Sequence, residues 1–142
     1  MILLDTNVIS EVLKPAPASQ VIGWLDANFA NTAISSITIF ELGAGLASLS
    51  GGRRKDSLQN AIGRTIRRFG TRVYAFDAAA AQSAALLLAR ARAQGHALHQ
   101  LPNKLADLLI AGIASAYGLD LATRNVGDFE GLGLTLIDPW ES

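Results

Sequence analysis

Ile2-Leu3-Leu4-Asp5-Thr6-Asn7-Val8-Ile9-Ser10 is the stretch whose reading decides the fold. Its three consecutive large aliphatics do not alternate with polar residues, the pattern of a strand buried on both faces, as in a parallel sheet. Val8, Ile9, Val12 and Leu13 continue at helical spacing, so Asp5 stands where a strand hands over to a helix. Functional sites in open α/β sheets collect at such junctions. Asp, Thr and Asn are also good helix N-caps, and capping alone would account for them here. What separates the two readings is whether other acids converge on the same place.

A chain of 142 residues, 50% of them hydrophobic, is long enough for one α/β domain, residues 1–142, with a single core. It has no cysteine, which excludes disulfides and thiolate zinc sites and fits a reducing compartment. No basic leader precedes the first strand, and no charge-free apolar run approaches about 18 residues. A soluble, cytoplasmic protein without membrane association is therefore expected. The formal net charge is +0, so a nucleic-acid partner would have to be attracted by uneven charge rather than by overall charge.

Charge is indeed uneven. After Lys14-Pro15-Ala16-Pro17 breaks the first helix, Ser19 is placed to cap a second carrying Val21, Ile22, Trp24 and Leu25. A short strand, Thr32 to Ser35, leads into a helix from Ile37 to the Ser50-Gly51-Gly52 stop. Glu41 is the first charge of that helix and stands among Ile37, Phe40, Leu42 and Ala44, where an unpaired carboxylate is costly unless neutral or coordinated. Arg53, Arg54, Lys55, Arg64, Arg67, Arg68 and Arg72 follow against the single acid Asp56, on a segment with a helical apolar stripe. A solvated amphipathic face is the default for such a run; guanidinium forks also match phosphate oxygens.

Val73 to Phe76 reads as a third strand ending at Asp77, and Ala78 to Gln94 as an alanine-rich helix stopped by Gly95. His96 and His99 lie in the next loop without acids or cysteines at ligand spacing, so surface positions are expected for them. Asn103 is placed to cap a helix that runs to about Tyr117 and is apolar on all sides, hence buried. Asp107 lies in its first turn, where compensation of the helix dipole would suffice. Leu119 to Thr123 is a fourth strand, Arg124 to Phe129 a loop containing Asp128, and Leu134 to Ile137 a fifth strand.

Strands alternating with helices call for a parallel sheet with right-handed crossovers and helices on both faces. Asp5 follows the first strand, Glu41 lies near the start of the helix after the second, Asp107 opens the helix before the fourth, and Asp128 follows the fourth. All four are expected at one edge, where ligands bind in open sheets. Crowded carboxylates repel unless protons or cations compensate. Hard oxygen ligands suit Mg²⁺ or Mn²⁺, which can activate water and stabilise charge on a phosphoryl group. The sequence has no phosphate-binding G-x-x-x-x-G-K-[ST] loop, no H-E-x-x-H helix and no serine-triad pattern.

Leu3-Leu4-Asp5-Thr6-Asn7-Val8, the isolated Glu41, Ala106-Asp107-Leu108-Leu109-Ile110-Ala111 and Ala122-Thr123-Arg124-Asn125-Val126-Gly127-Asp128-Phe129, taken in order, resemble the PIN-domain ribonucleases. Within that family the chain is most similar to the VapC and FitB toxins of bacterial toxin-antitoxin pairs. The resemblance spans almost the whole chain. It implies a three-layer α/β/α fold around a mostly parallel sheet of about five strands, and a Mg²⁺- or Mn²⁺-dependent endoribonuclease. Carried over by position, Asp5, Glu41, Asp107 and Asp128 become both the metal ligands and the catalytic set, with Thr6, Thr123 and Asn125 orienting carboxylates or waters.

The resemblance further implies a homodimer silenced by a small antitoxin, whose own DNA-binding part gives the pair its only contact with DNA. An antitoxin arginine or C-terminal segment commonly enters the acidic site in such pairs. Arg53, Arg54, Lys55, Arg64, Arg67 and Arg68 are then candidates to meet RNA or the antitoxin, and the early helices with Trp24 and Phe29 either supply a dimer surface or belong to the core. Two positions depart from the family pattern: Gly112, where a second alanine is common, and Gly127, where a basic residue is frequent.

Two other readings compete. A phosphatase could use Asp5 as phosphoryl acceptor, but the haloacid-dehalogenase type expects a second acid two residues on, and this chain has Asn7. A non-catalytic module could keep the acids for cation-dependent folding or partner binding.

Overall fold

The structure, a computed structural model, describes residues 1–142. Five strands form one parallel sheet: β1 (Ile2–Leu4), β2 (Thr32–Ser35), β3 (Val73–Tyr74), β4 (Asp120–Ala122) and β5 (Leu136–Ile137). They lie side by side in the order β3-β2-β1-β4-β5. The chain leaves β1 in one direction to build β2 and β3, then returns across it to build β4 and β5. The ends of β1 and β4 therefore flank the topological switch point, where the two crossovers diverge and a crevice opens.

Six helices cover the sheet: α1 (Thr6–Val12), α2 (Ser19–Asn28), α3 (Ser36–Ala47), α4 (Arg53–Phe69), α5 (Ala78–Ala93) and α6 (Leu105–Tyr117). Alternation along the strands divides the core. Ile2, Leu4, Ile34 and Ala122 pack with Val8 and Ile9 of α1, Val21 and Leu25 of α2, Leu42 of α3, and Ile62 and Phe69 of α4. Leu3, Ala33 and Leu121 point the other way, into Ala80, Ala84 and Leu87 of α5 and Leu108, Ile110, Ala111 and Ile113 of α6. Every residue of β1 is buried, as its unbroken aliphatic run requires in the centre of a sheet covered on both faces. The result is the expected α/β/α sandwich.

Glycine 112 is where α5 and α6 come together. A Cβ there would stand 2.7 Å from Ala84 Cβ and 2.8 Å from the Ala80 carbonyl oxygen. The missing alanine thus lets two helices approach closely, and the alanine-rich face of α5 is the matching small surface. Gly118, at φ +63°, ends α6 in the left-handed conformation favoured at helix C-termini.

Several local expectations change. Ser19 does not cap α2. Ala18 takes the N-cap position, its N–H bound by Glu11 Oε2 at 2.9 Å, which leaves Ser19 as the first helical residue. Nor does Asn103 cap α6. The preceding turn closes through Lys104 N–H to the Gln100 carbonyl and Leu105 N–H to the Pro102 carbonyl, so the helix begins after Lys104 without a side-chain cap. The third strand stops at Tyr74, because the chain leaves the sheet early to start α5, and the fifth spans two residues. Asp77 caps α5 and accepts a hydrogen bond from the Tyr117 hydroxyl at the end of α6. The two helices are therefore antiparallel, and Asp77, a strand-end acid like Asp5, stays out of the crevice. No helix is long and apolar enough to cross a membrane.

Candidate functional site

Asp5 is the first residue past β1, and its N–H donates to the Ala122 carbonyl at 2.9 Å, which ties it to the end of β4. It is also the N-cap of α1, with Oδ1 accepting the Thr6 N–H at 2.8 Å. Oδ2 accepts the Thr123 hydroxyl at 2.8 Å and the Asn7 side-chain amide at 3.1 Å. The capping role is real, but it occupies one of two oxygens. The residue is 3% exposed. Burial pushes its pKa up to about 6; the Thr123 hydroxyl and the Thr6 N–H hold it down, while the charges of Asp107 and Glu41 add to the rise.

Thr123 fixes that carboxylate from the β4 side. Its hydroxyl accepts the Asn125 N–H at 3.0 Å and the Asn7 amide at 3.3 Å. With both donors pointing at the oxygen, its single proton is left for Asp5. Asn7 Oδ1 in turn accepts the Arg124 N–H at 3.4 Å, so the start of α1 and the loop after β4 are stitched together around Asp5.

Glu41 reaches the site from the second turn of α3 and accepts the Thr6 hydroxyl at 2.6 Å. Asp107 enters from the first turn of α6. Burial raises its pKa, the Lys104 charge opposes the rise, and the charges of Asp128 and Glu41 reinforce it. Asp5, Glu41 and Asp107 line one cleft of about 360 Å³ together with Thr6, Asn7, Asn125, Lys14, Arg124 and Trp140. The Arg124 guanidinium sits 5.2 Å from the Trp140 ring centre, a cation–π contact at the mouth.

Asp128 is placed differently from the other three acids. It ends the single turn Val126–Asp128, lies outside the lining of the cleft, and pairs with Lys104 at 3.1 Å. Its hydrogen bond raises the Lys104 pKa, and its charge still acts on Asp107. Of the other expected residues, Thr6 and Thr123 touch carboxylates directly. Asn125 acts on Asp5 through Thr123.

The basic segment does not gather around the acids. Arg54 borders a second cleft of about 330 Å³ that shares Thr6, Lys14 and Glu41 with the first. Lys55 donates to the Leu49 carbonyl, and Arg53, Arg64 and Arg67 are exposed along α4. Arg68 lies over the Phe29 ring at 4.6 Å, while Arg72 binds the carbonyls of Thr32 and Phe29. His96 binds the Leu98 N–H within its own loop.

Six contributors were not singled out from sequence: Asn7, Lys14, Thr38, Lys104, Arg124 and Trp140. Asn7 and Arg124 stand inside the motifs that carried the resemblance. Thr38 and Lys104 each lie three residues before an acid on a helix, a spacing that puts side chains on one face.

The donor set is entirely oxygen, partly desolvated and mutually repulsive, which fits a hard divalent cation. No three acids enclose an ion by themselves. A cation here would be held by one or two carboxylates and complete its shell with water, the habit of Mg²⁺.

Comparison with known proteins identifies the family and the fold. Residues 2–131 match the family described as PIN domain. The chain is 44% identical over 144 residues to the plasmid stability protein StbB of Pseudomonas syringae pv. tomato, covering 100% of both chains. It is 41% identical over 143 residues to the VapC ribonuclease Y4jK of Sinorhizobium fredii, covering 99% of each. Among solved structures, FitAcB from Neisseria gonorrhoeae superposes with a TM-score of 0.88 at 35% identity over 100% of both chains. By its fold, the matched residues and these relatives, the chain belongs to the PIN domain family.

Proposed function

We propose that the protein is a metal-dependent endoribonuclease and the toxin of a toxin-antitoxin pair. The observation that carries this reading is the buried Asp5 at the switch point, held by three hydrogen bonds and flanked by Asp107 and Glu41 in an open cleft. The ribonuclease name of a relative that matches this chain end to end supports the same chemistry.

One or two of Asp5, Glu41 and Asp107 would hold Mg²⁺ or Mn²⁺ directly and the remainder of the set would act through its waters, with Asp128 at the edge. When bound, the ion supplies a water of lowered pKa and charge stabilisation at the phosphoryl oxygens. The chain does the rest. Thr123, Asn7 and the Thr6 N–H hold the Asp5 carboxylate in one orientation, so ion binding need not reorganise it. Arg124, steadied by Trp140, and Lys14, paired with Glu11 at 2.9 Å, also line the cleft and offer donors for phosphates flanking the cut. No side-chain nucleophile is required.

An antitoxin would silence the protein by covering this cleft, and would carry the DNA contact by which such a pair represses its own operon. Two copies of the chain would associate through the exposed apolar residues on α3 and before α6.

The test is cleavage of a mixed RNA pool by the isolated chain with Mg²⁺, with Mn²⁺ and with EDTA, beside Asp5→Asn. Metal-dependent cutting that the variant loses is expected. A folded, metal-binding protein that cuts neither the pool nor total cellular RNA would leave the non-catalytic reading in its place.

A further inference from the structure

A chain of hydroxyl groups runs behind the site from the start of α3 to Glu41, and no motif in the sequence announces it. Thr6 Oγ1 lies 2.6 Å from Glu41 Oε1 and 2.9 Å from Thr38 Oγ1. Thr38 Oγ1 in turn lies 3.4 Å from Ser35 Oγ, which accepts the Thr38 N–H at 3.1 Å as the N-cap of α3. Ser35 and Thr38 are fully buried.

Proton counting gives this chain a direction. A carboxylate accepts and cannot donate, so the one proton of Thr6 goes to Glu41. Thr38 must then donate to Thr6, and its proton is spent. Ser35 must donate to Thr38. The order is therefore Ser35 to Thr38 to Thr6 to Glu41, anchored by a backbone N–H and ending on a candidate metal ligand. Each donor polarises the next; turning the Thr6 proton to Thr38 would leave Glu41 facing a lone pair, and turning the Thr38 proton to Ser35 would set the Thr38 and Thr6 lone pairs against each other.

We propose that Thr38 is a positioning residue: it fixes the Thr6 hydroxyl with its proton toward Glu41, and so sets the orientation and basicity of that carboxylate for a divalent cation. The role rests on the metal-site reading above. It couples the cap of α3 to the acid in the second turn of the same helix, so one short stretch, Ser35 to Glu41, both begins the helix and prepares the ligand. Outer partners of metal ligands commonly change affinity by about 10- to 100-fold when lost. Thr38 acts at one further remove and belongs at the low end.

The experiment is calorimetric Mn²⁺ titration of the whole metal-free chain as wild type, Thr38→Val, Thr38→Ser, Glu41→Gln and the Thr38→Val/Glu41→Gln pair, with thermal melts of each without metal. Thr38→Val is expected to weaken Mn²⁺ by about tenfold, Thr38→Ser to restore most of the loss, and Thr38→Val to add nothing once Glu41 is Gln. Thr38→Ala carries the same comparison if the valine variant does not fold. Unchanged affinity in Thr38→Val, or an equal loss in the Glu41→Gln background, would overturn the role and leave the metal site standing. Wild-type protein that binds no Mn²⁺ would overturn both.

Discussion

Asp5 gives the sharpest consequence at the scale of single residues. Unfolded, it ionises near 3.8; in the folded chain burial carries it to about 6. Between those values the folded state keeps a proton that the unfolded state has released. Asp5 therefore costs stability progressively as pH rises from about 4 to 6, and the loss is complete above that window. The shift corresponds to about 3 kcal/mol. Asp5→Asn removes this cost but replaces one carboxylate oxygen with an NH2 group, so either the Thr6 N–H or the Thr123 and Asn7 donors lose their acceptor, a loss of about 1 kcal/mol. Melts of metal-free protein at pH 7.5 should show the variant more stable by about 1–2 kcal/mol. Added Mg²⁺ should raise the melting temperature of the wild type alone.

Lys104 allows a second test. Its charge opposes the rise in the Asp107 pKa, so Lys104→Met should move the acidic limb of metal-dependent cleavage to higher pH. An unshifted limb would mean that Asp107 ionisation does not govern it. Among the acids, Asp5, Glu41 and Asp107 were legible because each interrupts an apolar stretch. Asp128 was legible as an acid near the site but not as a partner of Lys104, since that pairing depends on how the turn before α6 closes.

At the scale of elements, the close approach of α5 and α6 sets a limit on substitution. Gly112→Ala would force its methyl group into Ala84 and the Ala80 carbonyl, and overpacking of this kind costs about 1–3 kcal/mol. Urea denaturation should show the loss, and Gly112→Ala with Ala84→Gly should recover part of it. The order and type of every element could be read from hydrophobic period and turn residues. What could not be read were the caps of α2 and α6, because Glu11 and the turn before Lys104 act from outside the helices they start. The direction of α5 was equally hidden. Nothing in Ala78 to Ala93 says that Asp77 will meet Tyr117 rather than the crevice.

Considered whole, the molecule half-buries Trp24 and Phe29 and exposes a different apolar surface. Trp24 and Phe29, for which sequence left a dimer contact and the core both open, pack against the core, with Phe29 tilted on Phe69 and shielded by Arg68 and Arg72. Phe40 is instead 72% exposed, and Leu101 and Leu105 stand open nearby. Phe40 and Leu105 border an apolar groove of about 380 Å³ that includes Glu41. A second copy of the chain is the occupant expected there. Phe40→Asp should then shift the protein from dimer to monomer in light scattering, without altering the melting of the isolated fold. A dimer that survives would place the contact elsewhere.

The stitching of Asp5 to Thr123 joins residues 118 positions apart. During synthesis the acid leaves the ribosome long before its hydroxyl partner exists, and β1 waits just as long for β4 on one side. The cleft is therefore among the last features of the molecule to form. On the reading proposed above, the chain cannot cut RNA until almost all of its own message has been translated, and a chain truncated before β4 never acquires the site.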